Sequence, residues 1–289
     1  MIYLLLSICC SVTVAALLKL AKRYKINVPQ AVTWNYLFAI LLSYLFFRPA
    51  VAAITLGNIF TPVNLALAIL LPTIFWFLAA SVRNIGIVKT DIAQRLSLFI
   101  PILASYFIFK EQFSNLKIAG LAVGFTAIFL TLSKSSRQKS MPLSYIYPLI
   151  VFLGFGLIDV LFKQIARISI IPYTTSLFLV FVLAFFVSLV IIAYLYFTRK
   201  QKLELVNFLC GCILGLFNFG NILFYLKAHR AMAENPSTVF AAMNMGVVIL
   251  GSLVGIFVFK EKLSKLNFFG LVLALTAIFL IALSQYYAV

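Results

Sequence analysis

Apolar runs of about 20 residues follow one another along almost the whole chain, and short segments with Lys, Arg, Pro or Asn separate them. A helix needs roughly 20 mostly apolar residues to cross a bilayer. Of the 289 residues, 64% are hydrophobic and 10% are charged, whereas a soluble domain has about 45–50% apolar and about 25% charged residues. The sequence therefore predicts a polytopic membrane protein.

Each backbone N–H and C=O group in hydrocarbon must be hydrogen-bonded within its own segment or in a closed barrel. The runs are too long and continuous for barrel strands, so an all-α fold is expected. Their bounds predict ten transmembrane helices with short connections, at residues 2–20, 31–47, 64–85, 89–109, 115–133, 142–163, 174–198, 205–227, 236–259 and 267–285.

An internal repeat divides the chain into halves. Phe109–Leu130 and Phe259–Leu280 lie 150 positions apart and are identical at 12 of 22 positions. Because they cover the fourth and fifth helices and then the ninth and tenth, the predicted repeats are residues 1–137 and 138–289. Five spans per repeat would invert the second repeat relative to the first. Inverted repeats are typical of secondary transporters, whose substrate sites lie near the bilayer midplane.

This organisation resembles the EamA family of the drug/metabolite transporter superfamily, and the resemblance covers nearly the whole chain. It rests on the five-plus-five arrangement, the Lys-Glu that ends the fourth and ninth helices, and the following glycine helix. It implies alternating-access transport of small metabolites, amino acids or drugs, through a cavity walled by the first, third and fourth helices of each half. The positions that match, Glu111, Glu261, Gly120 and Gly270, would mark helix ends and packing rather than substrate ligands.

The side of the membrane that holds the termini is open. Of the 23 Lys and Arg residues, the odd-numbered connections carry 16 and the even-numbered ones carry 7. Positive charge favours the cytoplasm, so this distribution places both termini outside. The family resemblance implies that both termini are cytoplasmic.

Composition argues against several other classes of protein. The net charge of +17 is spread between apolar runs, which fits membrane topology better than nucleic-acid binding. The four cysteines lie in apolar runs and His229 is the single histidine, so no metal, disulfide framework or other cofactor is expected. With two Asp and four Glu scattered over both halves, and no Gly-rich phosphate loop, an enzyme or an ATP-driven pump is not expected. The first run is interpreted as a span and not as a signal peptide.

Asp159 is the deepest ionisable residue, well inside the sixth span, with Lys163 four positions later on the same helix face. Charged groups inside a membrane are costly and commonly functional. One interpretation is an intrahelical ion pair that allows both groups to be buried. The other makes Asp159 the group that couples proton movement to transport.

The eighth span has a polar stripe formed by Asn218, Asn221, Tyr225 and His229, whose spacing places them on one helix face. These side chains are candidates for hydrogen bonding to a substrate. The alternative is contact between helices, which stabilises membrane helices by roughly 0.6 kcal/mol per polar residue. His229 lies near the helix end and is interpreted as interfacial.

In the fourth span, Asp91, Gln94 and Arg95 share a face, and Asp91 and Arg95 have the spacing of an ion pair. The ninth span opens with Asn-Pro-Ser-Thr at 235–238 and carries Asn244. If both helices line the cavity, Gln94 and Asn244 would face it from opposite halves. Alternatively, Asp91 and Arg95 form a pair at the membrane surface.

In the third span, Arg83 could bind a substrate carboxylate through two hydrogen bonds or extend to the lipid headgroups. Trp76 lies in the middle of the same span and is a cavity candidate. Trp34 and Tyr36, at the start of the second span, are expected in an interfacial aromatic belt.

The leading hypothesis is therefore a secondary transporter of small organic solutes in the cytoplasmic membrane, with proton coupling through Asp159 as a variant. The alternatives are a non-transporting scaffold or sensor with the same fold, and a flippase for lipid-linked substrates. The expected partners are a small-molecule substrate and the lipid bilayer. The sequence leaves open the substrate, the direction of transport and the oligomeric state.

Overall fold

The computed structural model describes residues 2–97, 99–109, 114–132, 146–168, 171–199, 202–231 and 236–286. No strand occurs among these residues. Their helices are α1 (Ile2–Arg23), α2 (Val28–Phe47), α3 (Leu56–Ile59), α4 (Pro62–Ile85), α5 (Ile87–Leu96), α6 (Phe99–Phe109), α7 (Asn115–Leu132), α8 (Ile146–Ile168), α9 (Tyr173–Arg199), α10 (Leu205–Ala231), α11 (Pro236–Leu253) and α12 (Lys265–Tyr286).

Six helices in the described part of the chain are long and apolar enough to cross a membrane, namely α1, α2, α4, α9, α10 and α12. Shorter apolar segments lie within α7 and α8, and a third joins the end of α11 to the π-helical turn Val254–Val258. The predicted all-helical membrane fold is confirmed at this level. Glu111 and the predicted repeat boundary between residues 137 and 138 lie outside the described residues.

The predicted fourth span, 89–109, is two helices and not one. Helix α5 ends at Leu96 and α6 begins at Phe99. Pro101 has no backbone N–H to donate to the carbonyl of Ser97, which would be its partner in a continuous helix. Instead, the N–H of Ile100 donates to that carbonyl at 2.9 Å.

Local sequence explains where the helices begin. Asn27 precedes α2, and its side-chain oxygen accepts a hydrogen bond from the N–H of Gln30 at 3.3 Å. Thr61 precedes α4 and accepts from the N–H of Asn64 at 3.2 Å, with Pro62 as the first helical residue. Both are N-caps, which satisfy helix donors that have no intrahelical acceptor.

One end of the helix bundle contains Arg23, and we call it the Arg23 end. There, the N–H of Asn27 donates to the side-chain oxygen of Asn207 at 2.9 Å, which joins the starts of α2 and α10. The side-chain amide of Asn267 donates to the carbonyl of Leu130 at 3.2 Å, which joins the start of α12 to the end of α7.

The opposite end contains Ile2, and we call it the Ile2 end. There, the N–H of Ala50, just after α2, donates to the hydroxyl of Thr175 in the first turn of α9 at 3.1 Å. The ammonium of Lys227, near the end of α10, lies 5.7 Å from the ring centre of Tyr3. Helix α2 therefore runs from the Arg23 end to the Ile2 end, opposite to α1 and α9.

Helices of the two predicted repeats pack mainly on each other. The end of α7 meets the start of α12, and Gly120 in the first half of α7 faces Ala277 and Ile281 in the second half of α12, so this pair is antiparallel. Helix α1 packs on α10 as α8 packs on α4, and α2 packs on α10 as α9 packs on α4. Each contact between two helices therefore has a matching contact between the helices at the equivalent positions of the other repeat.

The largest apolar cluster fills the space between α1, α2, α4, α9 and α10, with Val32, Tyr36 and Ala79 among its most buried members. A second cluster joins α5, α7 and α12. Large apolar side chains such as Phe129 and Phe197 are 76% and 79% exposed. Such an exposed apolar exterior suits contact with lipid.

Helices α2 and α10 approach closely because Gly211 and Gly215 lie one turn apart on α10. A Cβ atom on Gly215 would lie 2.8 Å from the carbonyl oxygen of Asn35, and one on Gly211 would lie 2.6 Å from that of Ala31. Small residues at this spacing allow membrane helices to pack backbone against backbone.

We therefore expect Gly215→Leu to lower the melting temperature of the purified protein in detergent by several degrees, because an oversized side chain must push α10 away from α2. Gly57→Ala is the matched control, since a Cβ there would meet only the hydroxyl of Thr55 at 3.9 Å. Equal melting temperatures for the two variants would contradict this account of the packing.

Candidate functional site

A cavity of about 580 Å³ lies in the centre of the helix bundle. Every described helix longer than α3 contributes to its wall, except α12. Its polar or charged lining residues are Ser11, Tyr36, Gln94, Arg95, Ser97, Lys117, Asp159, Tyr173, Asn218, Asn221, Tyr225 and Asn244. Apolar side chains from α1, α4, α8 and α9 fill the spaces between them. The cavity therefore combines a mainly apolar wall with a limited set of hydrogen-bonding groups, as is usual for small-molecule sites.

Arg95 brings a positive charge to the cavity from α5. Its Nη2 donates to the hydroxyl of Ser11 in α1 at 2.7 Å, and its buried Nε has no hydrogen-bond partner among the described residues. A guanidinium has five N–H donors in a planar arrangement that matches a carboxylate or phosphate. Arg95 therefore retains donors that a negatively charged solute could use.

Asp159 brings a negative charge to the cavity from α8. The residue is exposed to the cavity, and within the described part of the chain its carboxylate forms no ion pair. Arg95, Tyr173 and Tyr225 lie near enough to interact with it electrostatically. The side chain of Lys163, its predicted partner, lies outside the described residues.

Helix α10 lines the cavity with three of the four residues of the predicted polar stripe. Nδ2 of Asn218 lies 3.3 Å from Oδ1 of Asn35 in α2, and the hydroxyl of Ser7 donates to Oδ1 of Asn221 at 2.8 Å. Both asparagines thus join α10 to neighbouring helices and also line the cavity. Tyr225 follows one turn later, with its ring edge-on to that of His229 at 4.5 Å. His229 itself is not part of the lining.

Gln94 and Asn244 line the same cavity from α5 and α11. The alternative interpretation of Asp91 and Arg95 as a surface pair is wrong, since Arg95 faces the cavity and no ion pair joins the two among the described side chains. Asp91 is 3% exposed and points at Gly251 of α11. Its Oδ2 is buried and has no hydrogen-bond partner in the described part of the chain.

Trp76 and Arg83 lie outside the cavity lining. On α4 the lining residues are Leu71, Phe75 and Leu78. Successive residues of an α-helix point about 100° apart, so Trp76, directly after Phe75, points away from the cavity. Trp76 packs at the edge of the largest apolar cluster, and its buried indole Nε1 has no partner within the described ranges. Neither residue belongs to this lining, and their role in binding a substrate stays a prediction.

Tyr36 is not interfacial as predicted. It is 1% exposed, packs edge-on to Phe75 and lines the cavity from α2. The sequence analysis also did not identify Ser11 and Tyr173, which line the cavity, or Asn35, which contacts Asn218. Ser11 and Asn35 are single polar residues in apolar helices, which was the available signal for them.

Metal chemistry receives no support from the described residues, because no three His, Cys, Asp or Glu side chains among them are close enough to hold an ion. Arg95 and Asp159, which have opposite charges and lie on different helices, line the same cavity and interact electrostatically, and Lys117 lines it as well. Such an arrangement can bind a charged or zwitterionic solute and exchange protons with water.

Together, the apolar exterior and the helices long enough to cross a membrane define a multi-pass membrane protein with a polar central cavity. The EamA-like transporter family model matches residues 142–283. An uncharacterized protein of Haemophilus influenzae (strain Rd) is 41% identical over 283 residues, which is 96% of each chain. A solved crystal structure is similar in fold, with a TM-score of 0.58 and 12% identity over 98% of this chain and 96% of the other.

The chain belongs to the EamA-like transporter family, within the drug/metabolite transporter superfamily. This confirms the family resemblance seen in the sequence. Transporters of this family are generally not enzymes.

If the cavity is hydrated, a cysteine in its wall should react with a water-soluble maleimide. In a variant without native cysteines, we expect Asn218→Cys to be labelled at least about tenfold faster than Ala79→Cys, because maleimide reacts with thiolates in contact with water. Ala79 is the control because it is 0% exposed in the neighbouring core. Equal rates measured by mass spectrometry would mean that the cavity is dry.

Proposed function

We propose that the protein is a secondary transporter of small organic solutes, such as amino acids, metabolites or drugs, that works by alternating access. The observation that carries the proposal is the central cavity with Arg95 and Asp159 in its wall. Asp159 has no ion pair among the described side chains, and a carboxylate in a membrane-spanning helix is costly unless it is paired or faces water or a ligand. A packed scaffold would gain nothing from this arrangement.

We propose that the ten predicted spans form two inverted repeats, residues 1–137 and 138–289. Helices α7 and α12 are sequence equivalents through the internal repeat, and they run antiparallel. Two equivalent helices of opposite direction support an axis of pseudo-symmetry in the membrane plane. The exchanged contacts of α1 with α10 and of α8 with α4 support the same arrangement.

The cavity lies between these repeats, because Gln94 and Arg95 belong to the first and Asp159, Asn218 and Asn244 to the second. Movement of one repeat against the other would expose the cavity to each side of the membrane in turn. We propose the cytoplasmic membrane as its location.

The cavity chemistry suggests how a solute is held. Its volume of about 580 Å³ is within the usual range for sites that bind small organic molecules. In this proposal, Arg95 binds an anionic group of the solute and Asp159 binds a cationic group or a proton. Asn218, Asn221, Tyr225, Asn244 and Gln94 supply neutral hydrogen bonds.

A solute panel tests the binding role of Arg95. A ligand that binds only the folded protein raises its melting temperature, so we expect solutes with both an amine and a carboxylate to stabilise the purified protein. Arg95→Gln should reduce this stabilisation, since the neutral amide cannot pair with a carboxylate. Gly57→Ala, far from the cavity lining, should leave it unchanged. Stabilisation by the same solutes in Arg95→Gln would remove Arg95 from the binding site.

Asp159, with Lys163 one turn later, is the proposed coupling site. In proteoliposomes under a pH gradient, Asp159→Asn should abolish uphill uptake, because the amide cannot carry a proton. Exchange of solute against solute needs no net proton movement and should continue. The two assays on one preparation separate coupling from misfolding, and proton-driven uptake at the rate of the unmodified protein would exclude Asp159 from coupling.

A further inference from the structure

Glu261 lies at the Arg23 end, in the segment that follows α11. Helix α11 continues into the π-helical turn Val254–Val258, and the N–H of Glu261 then donates to the carbonyl of Gly255 at 2.9 Å. This local hydrogen bond fixes the start of the segment and directs the Glu261 side chain towards the junction of α4 and α5. Glu261 belongs to the repeated Phe-Lys-Glu sequence.

The Glu261 carboxylate binds the start of α5. Oε1 accepts a hydrogen bond from the N–H of Ile87 at 2.6 Å, and Oε2 accepts from the N–H of Val88 at 3.2 Å. These are N–H groups of the first helical turn, which have no acceptor within their own helix. A negative charge at this position also interacts favourably with the helix dipole. The cap of α5 is therefore supplied by a residue more than 170 positions away.

The same carboxylate binds α1. Nζ of Lys19 lies 3.2 Å from Oε1 of Glu261 and also donates to the carbonyl of Val82, near the end of α4, at 3.0 Å. The side chains of Lys19 and Glu261 are 23% and 10% exposed, so solvent screens this ion pair less than a surface pair. Lys89 adds a second positive charge that interacts with Glu261. Glu261 thus joins α1, α4 and α5 to the segment after α11.

Two glycines make room for the carboxylate. Gly86, between α4 and α5, has φ of +99°, and a Cβ there would lie 2.5 Å from Oε2 of Glu261. A Cβ on Gly255 would lie 3.1 Å from the same oxygen. Since a positive φ also disfavours other residues, the junction is built for the close approach of Glu261.

The Glu261 contacts close one end of the cavity. Ala15 lines the cavity and also belongs to a small apolar cluster with Val82 and Ile87, against which Val254 and Phe259 pack. Lys19 lies one helical turn beyond Ala15 towards the Arg23 end. The cavity is thus followed by an apolar layer and then by the Glu261 carboxylate.

On the side away from Glu261, the cavity lining extends towards the Ile2 end. Lys117 and Tyr173 lie at the starts of α7 and α9, at the Ile2 end, and both line the cavity. The Glu261 contacts are therefore found at the end away from these residues. The described groups that the Glu261 carboxylate binds belong to the first predicted repeat, whereas Glu261 belongs to the second.

We infer that Glu261 is a gating residue that holds the two repeats together at the Arg23 end and so keeps the cavity closed on that side. This inference rests on the proposed transport function. Opening the Arg23 end requires the carboxylate to leave the first turn of α5 and Lys19 together. Glu261 is a positioning residue, because it acts through the helices and not through contact with a solute.

The test measures side-specific access to Ala15→Cys in a protein without native cysteines. Membrane-impermeant maleimide is added to either side of proteoliposomes, whose orientation is calibrated with Lys25→Cys at the Arg23 end. We expect Glu261→Gln to increase labelling from the Arg23 side by about tenfold or more, because its NH₂ group cannot accept from the N–H groups or from Lys19. Labelling from the Ile2 side should fall in parallel.

Glu204→Gln is the matched control, since Glu204 lies at the same end and, among the described residues, its side chain accepts a single 3.5 Å hydrogen bond from Asn207. Lys19→Met is the second variant. It removes the ion pair but keeps the cap of α5, so it should give a smaller increase from the Arg23 side. If Glu261→Gln does not fold, Lys19→Met decides the question.

Unchanged side-specific labelling in the folded Glu261→Gln protein would overturn the inference, as would an equal increase from both sides, which indicates general loosening. The assay uses no solute. A negative result would therefore remove the gating role and leave the transport proposal intact, whereas a failed transport assay would not alter the labelling result.

Discussion

A bilayer interior offers no hydrogen-bond partners, so a polar side chain in a membrane helix must find a partner in the protein or face internal water. This constraint organises the whole molecule. The exterior is apolar, with Phe129 and Phe197 among its most exposed side chains, while Arg95, Asp159 and Asn218 line one central cavity. The position of the polar residues therefore follows from what the surrounding lipid excludes, and the same exclusion concentrates the chemistry of the protein in one place.

Helix packing then determines what the cavity can be. Helices α2 and α10 meet backbone to backbone at Gly211 and Gly215, and α7 meets α12 at Gly120. These pairs bring together helices of the two predicted repeats, so the bundle that surrounds the cavity is held together mainly by contacts between the repeats. A relative movement of the repeats must therefore change these close glycine contacts.

Much of the fold could be predicted from sequence, because lipid enforces simple rules of length and polarity. The long apolar runs located the helices, and the polar stripe located three lining residues of α10. The break at Ser97 was missed, although Pro101 was a local signal for it. Tyr36 and Trp76 were misplaced for another reason. A helix pattern defines its faces but not which neighbour each face meets, so tertiary packing decided that Tyr36 faces the cavity and Trp76 does not.

Glu261 shows the same limit more sharply. The repeated Phe-Lys-Glu identified a helix end, but its partners Lys19, Ile87 and Val88 are distant in sequence, and two of them contribute backbone N–H groups that carry no sequence signal. In the structure, the positive φ of Gly86 accompanies the close approach of the Glu261 carboxylate to the start of α5. A helix start capped from another repeat is stable only while the repeats remain in contact. Such a cap makes local helix stability depend on the arrangement of the whole molecule, which is the property that a conformational switch between two repeats requires.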